Sequence, residues 1–173
     1  AAGMIKGIQG EGVGACVKHF ACNNSDTRRT RLNCMVEPRA LHEIYLAGFE
    51  RAIKKAAPAA VMGSYNQING EQACESPWLL NHVLRELWGF KGAVLSDWGA
   101  VKDSVKAVKA GLDLQMPHSI QYMDSVKKAL ETGELSSQDL DEHCERILSL
   151  VFTYSMEGRE RPKVDWESHH RLA

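Results

Sequence analysis

No stretch of the 173 residues comes near the roughly 18 consecutive apolar positions that a membrane-spanning helix needs. No membrane partner is therefore expected, and the opening run AAGMIKGIQGEG lacks the long apolar core of a secretion signal. Positive charge is not in surplus either. Lys and Arg number 21 against 22 Asp and Glu, a formal net charge of -1. Such a balance offers no basic field to a nucleic acid or an anionic bilayer, so a neutral small molecule is the expected partner. Cysteines are five, an odd number, without a C-x-x-C pair. That spacing argues against a closed disulfide framework and against a structural zinc site, and reduced thiols point to a cytoplasmic location. Internal repeats and low-complexity tracts are missing as well. What the chain does have is a 44% hydrophobic content, enough for one compact domain with a core.

Short apolar runs alternate with helical stripes along the whole length. GACV (14–17) reads as a strand, after which Leu41, Ile44, Tyr45, Gly48, Ala52 and Ile53 recur at helical spacing. AAVMGSY (59–65) is the next strand. Ser76 offers an N-cap oxygen and Pro77 a φ already set for a first turn, before a stripe of Leu80, Val83, Leu84 and Leu87 that Gly89 closes. GAVLSD (92–97) is the third strand. Val101, Val105 and Val108 form a further stripe closed by Gly111, and LDLQM (112–116) reads as a fourth strand. Two last helices fit YMDSVKKALETG and SSQDLDEHCERILSLVF, with Phe152 and Tyr154 assigned to the core. Strands apolar on both faces that alternate with helices predict an α/β fold with a parallel sheet. A complete (β/α)8 barrel takes about 250 residues, so four units predict part of such a barrel with two open edges. Residues 1–156 are expected to form it. The charged tail EGRERPKVDWESHHRLA, 157–173, reads as a linker or surface arm, with His169 and His170 facing solvent and binding no metal.

Each of the first three strands ends in polar or ionisable groups: Lys18 and His19, Tyr65 and Asn66, Asp97 and Trp98. In a parallel sheet all carboxyl ends open on one face, which predicts that these residues converge in one pocket. The plain structural alternative for Asp97 is a cap on the helix that begins near Val101. An acid after so apolar a strand needs cationic or hydrogen-bonding company to stay ionised, and Lys18 and Arg29 are the candidates. A carboxylate held in that way can act as nucleophile, base or acceptor of a sugar hydroxyl. Trp98 offers a flat apolar face to a sugar ring, or simply packs. Cys22 and Cys34 flank the NNSDTRRT segment as unreactive thiols.

Three stretches, KHFACNNSDTRRTR, AVMGSYNQINGEQACESPWLLNHVLRELWGFKGAVLSDWGA and AGLDLQMP, resemble glycoside hydrolase family 3, in its β-glucosidase branch, from about Gly10 onward. The resemblance implies a TIM-type barrel and retaining hydrolysis of terminal β-D-glucosyl groups without metal or organic cofactor. It implies that Asp97 of SDW is the nucleophile and that Lys18 and His19 of KHF grip sugar hydroxyls. Arg29, with Arg28 as the near alternative, reaches the same site, and Met62, Tyr65 and Trp98 line it. Retention needs a second carboxyl group about 5–5.5 Å from the first. Glu71, Glu75 and Asp103 match no motif and read as solvated surface acids. The resemblance places the acid/base in a downstream domain, and a further sugar-holding acid and Arg upstream of Ala1. The hexosaminidase branch carries KHFPGHG, with a second His; KHFACNN lacks it, which disfavours an N-acetylglucosaminidase.

Two other readings compete. Lys18 at a strand end could be the amine of a Schiff-base aldolase, provided that burial lowers its basicity. A half-barrel could also be a non-catalytic remnant or assembly module, its open edges paired with a second copy in a homo-oligomer.

Overall fold

The computed structural model describes residues 1–155 and 164–173. In chain order, α1 (Ala2–Gly10) leads to β1 (Cys16–Phe20) and a two-residue strand β2 (Asn33–Cys34). Segments Pro38–Ala40, Leu41–Leu46 and Ala47–Ala56 run on as one helix, α2. Then come β3 (Ala60–Gly63), the hairpin strands β4 (Gln67–Ile68) and β5 (Glu71–Gln72), a single turn Ala73–Glu75, α3 (Trp78–Leu87) and β6 (Ala93–Ser96). Helices α4 (Ser104–Ala110), α5 (Ile120–Glu131), α6 (Ser137–Tyr154) and α7 (Trp166–Leu172) complete the described residues.

The expected α/β class is what forms. β1, β3 and β6 lie parallel in the spatial order β1-β3-β6, with Val61 opposite Val94 and Met62 opposite Leu95. Val61 and Val94 are fully buried against Leu79, Leu80, Val83 and Leu84 of α3, whereas Met62 and Leu95 on the other sheet face are half-buried. Burying each such Leu or Val contributes about 1.5–3 kcal/mol, so the helix-facing side of the sheet holds the arc together. Ile5 of α1 seals one end against Ala15 and Ala52.

Several sequence expectations need correction. Leu112–Met116 is no full strand: it meets β6 at one parallel bridge, Leu95 to Leu114. Backbone bonds there join Ser96 to Leu114 and both Asp113 and Leu114 to Val94, and side chains add to them, since Val94 donates its amide to Asp113 Oδ2 at 2.7 Å and Met116 donates to Ser96 Oγ at 2.8 Å. Ile44 is 69% exposed, not part of the buried stripe. Wide turns over Leu41–Leu46 shift the phase of α2, so that Leu46, five residues after Leu41, points inward instead. Leu87 is likewise exposed, with Trp88 buried in its place. Phe152 is 75% exposed; nine residues beyond buried His143, at about 100° per residue, it lies on the opposite side of α6. Tyr154 is half-buried and packs on Gly14. The arm contains the helix α7, capped by Asp165 Oδ1 on the Ser168 amide, with His169 and His170 exposed on it; 157–163 lie outside the described residues.

Gly111 ends α4 as expected, and with more than a helix stop at stake. Its φ is +95°, and a Cβ there would run into Asn81 Oδ1 of α3. Gly111→Ala should therefore cost about 1–3 kcal/mol. Urea denaturation of the variant beside the parent chain measures it, and an unchanged midpoint would contradict the argument.

Candidate functional site

Three strand ends do converge, and a buried carboxylate stands at their meeting point. Asp97, directly after β6, is 8% exposed. Its Oδ1 accepts the Tyr65 hydroxyl at 2.8 Å and the Trp98 amide at 2.7 Å. His19 Nε2 stands 3.2 Å from Oδ2. The capping alternative does not hold, because the N-cap of α4 is Asp103, whose Oδ1 accepts from Val105 and Lys106. Asp97 thus uses its side chain on the site and not on a helix.

Local sequence explains how each partner arrives. Lys18 and His19 lie inside β1, not after it. Val17 pairs with Val61 and Phe20 with Gly63, so the strand carries one extra residue between them. A bulge of this kind re-aims side chains, and here His19 turns to Asp97 while Phe20 remains buried in the core. The Lys18–His19 and Phe20–Ala21 peptide bonds are cis. Ser64 and Asn66, both fully buried, hold the Ala21 carbonyl at 2.8 Å and 3.1 Å, which ties the end of β1 to that of β3. Tyr65, between them, faces Asp97. Burial first, then the hydrogen bond to Asp97 and that carboxylate's charge, raise the Tyr65 phenol above its ordinary range, and Arg29 draws it back.

Arg29 stacks its guanidinium 4.4 Å from the Tyr65 ring centre and is oriented by Asp26 Oδ1 at 3.1 Å. Arg28 is exposed, with φ +52°. Met62 faces the same side of the sheet as Leu95, and strand alternation puts Asp97 on that side too. Trp98 is 65% exposed beside the carboxylate that its amide binds. Lys18 departs from expectation: it is exposed and makes no hydrogen bond or ion pair to Asp97 among the described residues. The company of Asp97 is His19, a phenol and an amide.

Of the three acids read as surface groups, Glu71 is exposed and the Asp103 side chain is 44% exposed, whereas Glu75 is half-buried. Glu75 Oε1 accepts from the amides of Lys102, at 2.5 Å, and Asp103, at 2.9 Å, and Glu71 Oε2 accepts the Ser76 hydroxyl. Gln72, which no motif singles out, is 7% exposed and bridges the carbonyls of Tyr65 and Ala100. Its only signal was its place in the stretch NGEQACE, between two strand ends. All five cysteines are free. Burial, then nearby Cys34, pushes the Cys22 thiol up to about 11, and burial pushes Cys74 up to about 12, so neither carries much thiolate at neutral pH. Among the described residues no helix is long and apolar enough to cross a membrane.

Comparison with known proteins gives a consistent result. The family model described as glycosyl hydrolase family 3 N terminal domain matches residues 1–150, so the likeness starts at Ala1 and not near Gly10. The thermostable β-glucosidase B of Acetivibrio thermocellus is 47% identical over 174 residues, covering 100% of this chain and 23% of that protein. An exo-α-(1→6)-L-arabinopyranosidase of Bifidobacterium breve is 40% identical over the same span, again 23% of its length. In three dimensions the chain is similar to β-glucosidase 3B from Thermotoga neapolitana in complex with glucose. The TM-score is 0.93 at 42% identity, over 99% of this chain and 26% of that one. The chain thus spans about a quarter of the length of the relatives it matches.

Proposed function

The chain belongs to glycosyl hydrolase family 3, and from that premise we propose that it carries the nucleophile side of a retaining β-glucosidase site, with Asp97 as the attacking carboxylate. One observation supports this above the others: a buried carboxylate at a strand end, engaged by a phenol, an amide and an imidazole while a different acid caps the next helix. In the proposed reaction Asp97 attacks C1 of a terminal β-D-glucosyl group from the face opposite the aglycone. The aglycone oxygen leaves with a proton from a general acid. Water, deprotonated by the same group, then releases the sugar from the ester. His19 and Lys18 would hold ring hydroxyls, Arg29 and Met62 the pocket wall, and Trp98 the apolar face of the sugar or its aglycone.

Glu71, Glu75 and Asp103 are committed to Ser76, to loop amides and to the α4 cap, so we assign the general acid to none of them. It would come from outside residues 1–173. In this reading residues 1–156 are part of a barrel domain and the remainder leads away from it. The aldolase alternative lacks its requirement, since the exposed Lys18 is not desolvated.

The test is mechanism-based labelling with a 2-deoxy-2-fluoro-β-D-glucoside followed by peptide mapping. Label on Asp97 supports the assignment, and label on another carboxyl group refutes it. An α-L-arabinopyranosyl probe run in parallel decides the sugar, because a relative 40% identical bears that activity in its name. Tyr65→Phe should slow labelling about 10- to 100-fold, the usual loss of a hydrogen bond to a charged group. Stopped-flow measurement of the labelling rate checks it.

A further inference from the structure

The hairpin of β4 and β5 and the turn after it supply no residue to the proposed chemistry, yet they grip the segment that does. Gln72 Nε2 donates to the Tyr65 carbonyl at 2.5 Å and to the Ala100 carbonyl at 3.0 Å. Those are the two residues on either side of the carboxylate: Tyr65 donates its hydroxyl to Asp97 Oδ1, and the Ala100 amide donates to the Asp97 carbonyl at 3.1 Å. Three residues further on, Glu75 Oε1 receives the amides of Lys102 and Asp103. One hairpin and its following turn therefore hold the Trp98–Asp103 segment at its middle and at its far end.

That segment is also held by the Gly99 amide, which donates to the Met116 carbonyl at 2.8 Å, and by Ala100, which is fully buried. It contains no regular helix or strand, and Trp98 and Gly99 at its start are exposed, with Gly99 at φ +73°. Left loose, it would carry the Trp98 amide away from Asp97 Oδ1 and free the carboxylate to rotate. A charged oxygen that accepts two amides is a strong restraint, because charge-assisted hydrogen bonds are about twice as strong as neutral ones. Gln72 is buried, so each carbonyl it serves would otherwise be deprived of a donor.

We propose that Gln72 and Glu75 are positioning residues for Asp97, a two-point clamp that orients the carboxylate through the Trp98–Asp103 segment without touching the sugar. The catalytic part of this inference rests on the reading of Asp97 as the nucleophile. The loop-holding part does not.

The experiment uses the full chain and two readouts. Amide hydrogen exchange, followed residue by residue, reports the clamp, and the labelling rate of Asp97 with 2,4-dinitrophenyl 2-deoxy-2-fluoro-β-D-glucoside reports its effect on chemistry. Glu75→Leu should lose about tenfold or more of the protection at Lys102 and Asp103 and slow labelling by a similar factor. Glu75→Gln keeps a carbonyl acceptor and should restore both. Gln72→Met should loosen Trp98 and Ala100 in the same way, with circular dichroism and protection in β3 and β6 showing that the fold persists. Unchanged protection in Glu75→Leu, or lost protection with an unchanged labelling rate, overturns the clamp. A parent chain that never labels at Asp97, while exchange follows the expected pattern, overturns the nucleophile reading and supports the hold on the loop.

Discussion

Asp97→Asn is expected to abolish release of dinitrophenolate from 2,4-dinitrophenyl β-D-glucoside, by a factor of the order of 10⁴, as removing a central catalytic group typically does. The substrate is chosen for its leaving group. Dinitrophenolate departs without a proton, so the first step asks only for a nucleophile and does not depend on the general acid that we assign outside this chain. The substitution is also chosen for what it preserves. An Asn amide oxygen can still accept the Tyr65 hydroxyl and the Trp98 amide, so the thermal midpoint should hardly move. Loss of rate with an unchanged midpoint isolates the charge and the nucleophilic oxygen. Full activity in Asp97→Asn would send the search to another carboxyl group.

The largest effect on stability is expected from a different acid. Asp113 has a completely buried side chain that receives four donors: Arg85 and the Val94 amide on Oδ2, His143 and Arg146 on Oδ1, each at 2.7 Å. It joins α3, β6 and α6. Asp113→Ala leaves two guanidinium groups facing an empty acceptor, and breaking a buried pair in this way costs about 3–5 kcal/mol. For a chain of this size that is a fall in the melting midpoint of roughly 10 °C. Acid should act on the same group. Burial on its own would raise the Asp113 carboxyl, but His143, Arg85, the Val94 amide and Arg146 outweigh it and hold it below the ordinary carboxylate range. A depressed folded-state value means that the stabilisation is complete above the unfolded value, about pH 4, and is lost as pH falls below it toward the folded value. Urea midpoints measured from pH 6 downward should drop more steeply for the parent chain than for Asp113→Ala.

The sequence was informative where one short-range rule decides the outcome. Gly89 and Gly111 both have the positive φ that their position after a stripe implied, and the apolar runs at 60–63 and 93–96 are neighbouring parallel strands. Asp97, His19 and Tyr65 could be grouped because parallel strands open on one side, and they do meet; Arg29, named as company for the carboxylate, stacks on the Tyr65 ring. Lys18 could not be separated from His19, since the outcome turns on a one-residue bulge that no spacing announces. Wide turns in α2 hid the burial of Leu46 for a similar reason: the helical period assumed at the outset is not the one the chain uses there. Glu75 and Gln72 were missed because their partners are backbone groups about 28 residues away, and backbone partners leave no trace in residue type.

The carboxylate of Asp97 is not symmetric. Among the described residues Oδ1 is saturated by two donors, whereas Oδ2 meets only the edge of an imidazole. The first oxygen acts as an anchor that fixes the rotamer, and the second keeps lone-pair density in reserve. Any ester formed on this side chain would therefore join through Oδ2, with Oδ1 left to hold the group in place.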